Sequence, residues 1–126
     1  MRTGKNNHTI IIISIVFTKS GRFEYRELMP GVRMRPLAAG QATLLCEFLL
    51  AKGHRLPLHR HLFEQTGFLI SGRLRFRIGE EWFDAVAGDS WFIPGEVLHE
   101  VEVVEESHLT EVFSPVRPDY LPEEWK

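Results

Sequence analysis

The chain has 126 residues, of which 44% are hydrophobic, so it is long enough for one domain with a single core and too short for a second catalytic domain. Fifteen Lys and Arg against seventeen Asp and Glu give a formal charge of −2, which predicts no binding to nucleic acid or membranes and favours a small-molecule partner. The only cysteine, Cys46, excludes an intrachain disulfide and is typical of a reducing compartment, so we predict a cytoplasmic protein with Cys46 in its core.

Residues 1–22 are predicted to form an N-terminal arm that contains one β-strand. The strand is Ile10–Phe17, because this run is rich in β-branched residues and is far shorter than the roughly 20 apolar residues that span a bilayer. Arg2 and Lys5 precede the run as in a secretory signal, but no small-residue cleavage site follows it, which favours the strand. Edge strands need cover, so we predict a homodimer that exchanges these arms.

Residues 23–116 are predicted to fold as an all-β sandwich or barrel, because short apolar or alternating runs are separated at close intervals by Gly, Pro and Asp. Gly79-Glu80 is interpreted as a hairpin turn and Ser71-Gly72 as a break between strands. Residues 117–126 are predicted to be a tail that wraps the barrel irregularly, with a short helical turn near Glu123. The predicted strands of the barrel are Gln41–Ala51, Phe68–Ile70, Arg73–Ile78, Glu81–Val86, Ser90–Ile93, Val97–Val104 and His108–Phe113.

Two sets of side chains in this region are interpreted as structural. The alternation in 73–78 places the apolar side chains on one face and three arginines on the other, and such a row is usually a solvated face rather than an anion site. Four aromatic residues are likewise interpreted as packing rather than as a stacking platform: Trp82, Phe83, Trp91 and Phe92.

The residues best suited to hold a metal are histidines. His59 and His61 are two positions apart, so on a strand both imidazoles point to the same face. Gln65 could add its amide oxygen if the strand bends, and His99 could close the site from another strand. The alternatives are that the pair are ordinary strand histidines and that Gln65 turns outward to a loop. By spacing alone the histidine pair is more often structural, so these alternatives stay open at this point.

The spacing of these residues resembles the two motifs of the cupins. The first motif is matched by a run that begins at Gly53 and ends at Gly72. In this run five residues separate Gly53 from His59-Arg60-His61, three separate His61 from Gln65, and six separate Gln65 from Gly72. Gln65 stands in place of the usual Glu. The second motif is matched by Gly88, by Pro94 after five further residues, and by His99. Two positions depart from it: Glu96 stands where glycine is common, and Val103 stands where asparagine is common. The resemblance implies a single-domain antiparallel jelly-roll barrel with one divalent transition metal, Ni, Zn, Fe, Mn or Cu, on the four candidate ligands His59, His61, Gln65 and His99.

A second cluster follows along the chain. Glu111 and Phe113 share one face of the last predicted strand and Arg117 lies just beyond it, so an acid, a ring and a guanidinium could line one wall of the barrel. The alternative is that Phe113 is core and that Glu111 pairs with Arg117. The segment 111–121 resembles the end of cupins that linearise unsaturated monouronates from pectin and alginate, as do Gly31-Val32-Arg33 and residues 64–72.

That resemblance implies catalytic roles for Glu111 and Arg117 and substrate binding by Phe113 and Arg117. Glu111 is longer by one methylene than the aspartate of those enzymes. A neutral Gln65 among histidines would keep the full charge of the metal and favour an anionic substrate. We therefore predict an enzyme acting on a small carboxylated sugar or oxo-acid by hydration, ring opening or tautomerisation. A metal-dependent dioxygenase and a non-catalytic ligand-binding module are the alternatives.

Overall fold

Antiparallel β-strands form most of the chain between residues 26 and 114 in the computed structural model, which describes residues 16–126. Two short 3-10 turns, Pro118–Tyr120 and Glu123–Trp125, follow the last strand, so the predicted turn near Glu123 is confirmed. None of the described helices has the length and apolar character needed to cross a membrane. The strands are β1 Arg26–Met29, β2 Val32–Ala39, β3 Leu44–Leu50, β4 Arg55–His59, β5 Glu64–Ile78, β6 Glu81–Val86, β7 Ser90–Ile93 and β8 His99–Ser114.

Two long strands, β5 and β8, pair with each other and hold the other strands together. The hydrogen-bonded order is β1-β2-β3-β8-β5-β6, with β4 added on β8 and β7 added on β5. The first part of β8 pairs with β4 and its second part with β3, whereas β5 pairs first with β7 and then with β6. Because each long strand changes partners along its length, the sheet folds over on itself as the predicted all-β barrel.

The predicted break at Ser71-Gly72 is wrong. The strand continues through it, with irregular register between Leu69 and Leu74. Gly72 has φ +107°, and a Cβ atom there would lie 2.3 Å from Oγ of Ser107 and 2.5 Å from the carbonyl oxygen of Glu106. The glycine therefore allows a bend within β5 where β8 passes closely. The segments 97–104 and 108–113, predicted as separate strands, are joined in the single strand β8, which begins at His99.

The core lies between the folded halves of the sheet and is built from alternate positions. Leu44, Cys46, Phe48 and Leu50 on β3 all point inward and are at most 4% exposed. Leu74 and Phe76 on β5 do the same, as the alternation predicts. Cys46 is completely buried, which confirms its predicted place in the core, and burial raises the pKa of its thiol.

The outer face of β5 carries the predicted arginine row. Arg73 contacts Glu105, and Arg77 contacts Glu100. Arg75 lies between Asp84 and Glu102, and the charged atoms of all these pairs are 3.3 to 3.7 Å apart. These three arginines are paired and partly solvated, and they form no cluster free to bind an anion, as the alternation indicates.

The two ends of the chain differ in how they meet the barrel. The predicted strand Ile10–Phe17 lies outside the described residues apart from Val16 and Phe17, which are exposed and belong to no strand. The tail packs on the barrel through aromatic rings. Tyr120 lies edge-on to Phe113 at 5.3 Å between ring centroids, which brings the tail to the side of the barrel that holds the histidines.

Candidate metal centre

Three histidines from two strands and a loop converge inside the barrel. His59 is the last residue of β4 and pairs in register with His99, the first residue of β8. His61 was predicted on the same strand as His59, but β4 ends at His59 and His61 lies in the connection to β5. One ring nitrogen of each histidine lies within 4.8 Å of those of the other two. The three side chains are therefore positioned for a metal ion.

Backbone carbonyls fix which nitrogen of each ring faces the centre. Nδ1 of His59 lies 2.7 Å from the carbonyl oxygen of Pro57 and that of His99 lies 2.8 Å from the carbonyl oxygen of Val97. His61 makes the same contact with the loop carbonyl two positions after it, at 2.9 Å. A carbonyl oxygen only accepts, so each neutral ring donates from Nδ1 and keeps the lone pair on Nε2. All three Nε2 atoms are thus available as ligands.

The environment keeps two of these rings neutral. Burial, with smaller contributions from His59, His61 and Arg117, lowers the pKa of His99 to about 4. Burial also lowers the pKa of His61, helped by Arg117 and His59. Because only a neutral imidazole binds a metal, these shifts favour the ligand form at neutral pH. His99 is 2% exposed, and its Nε2 is buried with no hydrogen-bond partner among the described residues.

Gln65, the second residue of β5, faces into the same cavity and not outward to a loop. Its side chain is 6% exposed, and Nε2 donates to Oε2 of Glu111 at 2.7 Å. Its Oε1 is buried and has no hydrogen-bond partner among the described residues. A buried acceptor that lacks a donor is costly unless a cation or a water molecule satisfies it, and both Oε1 of Gln65 and Nε2 of His99 are acceptors of the kind that bind transition metals. The donor set therefore fits a divalent transition metal.

The loop that carries His61 is held by a strained turn after β7. The N–H of Glu96 donates to the carbonyl of His61 at 2.7 Å, and Glu96 has φ +66°. A Cβ atom on Gly95 would lie 2.5 Å from the carbonyl oxygen of Leu62. The positive φ gives a physical reason why glycine is common at the position of Glu96 in the second cupin motif.

Glu111 lies beside Gln65 in the interior. It is 7% exposed, and burial raises the pKa of its carboxyl to about 7. Hydrogen bonds from Trp91 and Gln65 and the charge of Arg117 lower the pKa, but burial outweighs them. Nε1 of Trp91 donates to Oε2 of Glu111 at 2.8 Å, the same oxygen that Gln65 uses. The sequence indicates packing for Trp91 and does not predict this contact with the acid.

Arg117 reaches the cavity from the tail and pairs with Asp119 rather than with Glu111. Nε and Nη2 of Arg117 donate to the two carboxylate oxygens of Asp119 at 3.3 and 3.0 Å. The guanidinium lies 3.8 Å from the ring centroid of Tyr120 and 5.2 Å from that of Phe113. These contacts hold the arginine in place by charge and by cation–π attraction. The sequence did not point to Tyr120, because the tail has no periodicity from which an inward side chain can be predicted.

A cavity of about 50 Å³ lies among these groups. That volume holds a few water molecules or the reacting end of a small ligand. Its polar lining combines the candidate metal ligands with Glu111, Arg117 and Tyr120, and Phe113 forms part of its apolar wall. All seven residues that the sequence predicts for the site therefore border one space, and they are His59, His61, Gln65, His99, Glu111, Phe113 and Arg117.

Comparison with known proteins agrees with this geometry. The cupin domain family matches residues 46–113. KdgF from Halomonas sp. is 21% identical, with 83% of this chain and 97% of that chain covered and a TM-score of 0.78. An RmlC-like cupin from Shewanella frigidimarina is 23% identical, with 83% and 95% covered and a TM-score of 0.78. A variant of oxalate decarboxylase from Bacillus subtilis is 20% identical, with 82% of this chain and 30% of that chain covered and a TM-score of 0.70.

Identities of this size show a shared fold and not a shared reaction. No curated protein sequence matches the chain. The family match spans more than half of the residues, and it contains all four candidate ligands and Glu111. The protein therefore belongs to the cupin family.

Proposed function

We propose that the protein is a metal-dependent enzyme that acts on a small carboxylated sugar or oxo-acid by hydration, ring opening or tautomerisation. The observation that supports this most is that an acid, Glu111, and a guanidinium, Arg117, line the same small cavity as the three histidines. A space of about 50 Å³ favours a small substrate over a polymer. The resemblance of residues 111–121 to uronate-linearising cupins makes an unsaturated monouronate the first substrate to test.

The proposed cofactor is one divalent transition metal, Ni, Zn, Fe, Mn or Cu, held by His59, His61, Gln65 and His99. When bound, such an ion would polarise a carbonyl or hydroxyl oxygen of the substrate. Four neutral side chains leave the positive charge of the ion uncompensated. An anionic substrate is therefore favoured over a neutral one.

Arg117 is proposed to bind the substrate carboxylate. Asp119 uses Nε and one hydrogen of Nη2, so the opposite edge of the guanidinium, with Nη1 and the second hydrogen of Nη2, can still form two parallel hydrogen bonds. The rings of Tyr120 and Phe113 restrict the position of the group before the substrate arrives. Phe113 would then also contact the substrate.

Glu111 is proposed to move the proton. Trp91 and Gln65 both donate to Oε2, so Oε1 is the oxygen that can exchange a proton with the substrate. In the ring opening of an unsaturated uronate, the anomeric hydroxyl loses its proton as the bond between its carbon and the ring oxygen breaks. The enolate that remains takes a proton on carbon and becomes a ketone. One carboxylate can accept the first proton and deliver the second, so Glu111 ends unchanged.

The test is an assay of the metal-loaded protein with an unsaturated monouronate, followed by loss of the ultraviolet absorbance of the conjugated double bond. We expect turnover, and we expect Arg117→Lys to raise KM about tenfold or more, because an ammonium cannot make two parallel bonds to a carboxylate. Arg73→Lys, on the outer face of β5, is the matched control and should behave as the wild type.

Three results would count against the proposal. The first is the absence of turnover with carboxylated sugars and oxo-acids, together with equal substrate binding by the wild type and Arg117→Lys. Oxygen uptake by the iron-loaded protein would indicate a dioxygenase instead. Ligand binding without turnover would indicate a non-catalytic binding module.

A homodimer is also proposed, with the outer face of the sheet around the first part of β5 as its interface. Leu45, Val112, Thr66 and Phe92 form one cross-strand row on this face. Phe92 is 53% exposed, and Phe68 on β5 is 47% exposed. An exposed apolar face of this kind is costly in water unless it is covered. Residues 18–23 run beside Arg35 and Glu47 on the outside of the barrel, so the N-terminal arm joins the described chain near this face.

A further inference from the structure

Trp91 lies in a cross-strand row that leads directly to Glu111. In the β5–β7 pairing Trp91 is opposite Gly67, and in the β5–β8 pairing Gly67 is opposite Glu111. A residue with a side chain at the middle position would separate the two outer ones. Because Gly67 has none, the indole of Trp91 can lie across β5 and reach the carboxylate.

The indole of Trp91 occupies the space that a side chain at Gly67 would fill. A Cβ atom at Gly67 would lie 2.3 Å from Cε2 and 2.4 Å from Nε1 of Trp91, far inside any normal contact. The ring also packs on Phe76, with centroids 4.5 Å apart. Gly67 and Phe76 therefore fix the plane of the indole, and with it the direction of the N–H that Glu111 accepts at 2.8 Å.

The hydrogen bonds to Glu111 determine which end of the Gln65 amide faces the histidines. Oε2 of Glu111 accepts from both Trp91 and Gln65, so this oxygen is an acceptor and binds the NH₂ end of the amide. Oε1 of Gln65 is the end that remains, buried and without a donor among the described residues. The reversed amide would present N–H groups to a cation and an oxygen to a carboxylate, and both contacts would be repulsive.

We propose that Trp91, seated on Gly67, is a positioning residue for the metal centre, acting through Glu111 to hold the Gln65 amide with its oxygen toward the metal. The proposal rests on Gln65 being a metal ligand and is independent of the substrate. Groups that hold a ligand directly, as Glu111 holds Gln65, typically change metal affinity 10- to 100-fold when they are replaced. Trp91 lies one contact further from the metal, so we expect its effect at the lower end of this range.

The experiment uses the full-length, metal-free protein and Co²⁺ as the probe. The dissociation constant is measured by competition with a chelator, and the visible absorption bands of bound Co²⁺ report the ligand geometry. We expect Trp91→Phe, which keeps an aromatic ring and loses the N–H, to weaken Co²⁺ binding about tenfold and to change the absorption bands. Trp82→Phe is the matched control, because Trp82 stacks on Arg75 on the outer face, and it should match the wild type.

A double-mutant comparison separates positioning from general loosening of the fold. If Trp91 acts through Gln65, then the Gln65→Ala, Trp91→Phe double variant binds Co²⁺ as Gln65→Ala alone does. Gly67→Ala, which pushes the indole away, should reproduce Trp91→Phe. Thermal unfolding of the metal-free variants shows whether each is folded. If Gly67→Ala does not fold, the positioning role is tested by Trp91→Phe alone.

Three outcomes would overturn the proposal, and they have different meanings. If His59→Ala abolishes Co²⁺ binding while Trp91→Phe keeps the affinity and the spectrum of the wild type, the metal centre stands and the positioning role fails. Effects of Gln65→Ala and Trp91→Phe that simply add would also overturn it. If the wild type itself binds no Co²⁺, both the positioning role and the proposed cofactor fail.

Discussion

Glu96 shows how a single residue of the metal centre is held under strain. A left-handed backbone costs a residue with a side chain about 1–2 kcal/mol, and glycine escapes most of this cost. Glu96 is exposed, and its carboxylate lies 4.0 Å from Arg60 in solvent, a contact that contributes little to stability. Glu96 therefore contributes to the metal centre through its backbone, because its N–H donates to the carbonyl of His61.

Replacing Glu96 with glycine should stabilise the protein. We expect the free energy of unfolding of Glu96→Gly to rise by up to about 1 kcal/mol, because relief of the strained φ outweighs the greater entropy of the unfolded chain. Glu96→Ala is the control, since it keeps the strain and loses the contact with Arg60. Chemical denaturation of both variants measures the difference, and a glycine variant no more stable than the alanine variant would show that the turn is not strained.

Much of the site could be predicted from the residues alone. The spacing of His59, His61 and His99 within two recognisable motifs predicts that the three rings converge, and they do. Strand periodicity does not explain His61, because β4 ends at His59 and His61 lies in the loop that follows. The contact of Trp91 with Glu111 could not be predicted in this way. Alternation along β7 indicates that Trp91 faces inward, but the reach of its N–H depends on the empty position at Gly67 on another strand.

At the scale of elements, the hairpin turn at Gly79-Glu80 was predicted correctly and the division of the long strands was not. Ser71-Gly72 has the composition of a turn, and local sequence does not distinguish a turn from a bulge. The outcome was decided by β8, which pairs with β5 on both sides of Gly72. Long-range pairing of this kind leaves no signal in the few residues around the glycine.

One partly buried ionic cluster joins three elements on the outside of the barrel. Glu47 on β3 accepts from Nε of Arg35 on β2 at 2.7 Å and lies against Nε2 of His108 on β8. Burial alone would raise the pKa of Glu47, but hydrogen bonds from Arg35, His108 and Tyr25 outweigh burial, and the pKa is lowered from 4.5. Arg33 and Arg35 also lie over the ring of Tyr25, which ties the chain before β1 to the same cluster.

This cluster predicts a pH dependence of stability. A carboxylate with a lowered pKa in the folded state stabilises the protein above about pH 4.5, and the stabilisation is lost as the pH falls through the folded-state pKa. We expect Glu47→Gln to reduce the free energy of unfolding by about 1.5–3 kcal/mol at neutral pH, and by less at about pH 3. Urea denaturation over this pH range measures the difference.

Glu80→Gln, in the exposed turn between β5 and β6, is the matched control for the loss of one charge. It should follow the wild type at every pH. If the difference between the wild type and Glu47→Gln is the same at neutral and acid pH, the cluster does not hold Glu47 in its charged form.

The proposed dimer places the outer face of β7, of the first part of β5 and of the second part of β8 in the interior of an assembly. We expect the wild type to be a dimer by light scattering and Phe92→Lys to dissociate it, because a charge would then have to be buried against the second subunit. Val104→Lys is the control, since Val104 is 40% exposed on the part of β8 that lies away from this face. A wild-type monomer at micromolar concentrations, or equal effects of both lysines, would contradict the proposed interface.

Elemental analysis of protein purified without a metal-affinity tag shows whether the barrel holds one divalent metal ion on its histidines. We expect about one transition-metal ion per chain in the wild type and in His54→Ala, because His54 is exposed and precedes β4. We expect the ion to be lost in a variant that carries both His59→Ala and His61→Ala, with the fold checked by circular dichroism. A wild type without metal after loading, or a double variant that retains as much metal as the wild type, would show that the histidines do not form a metal site.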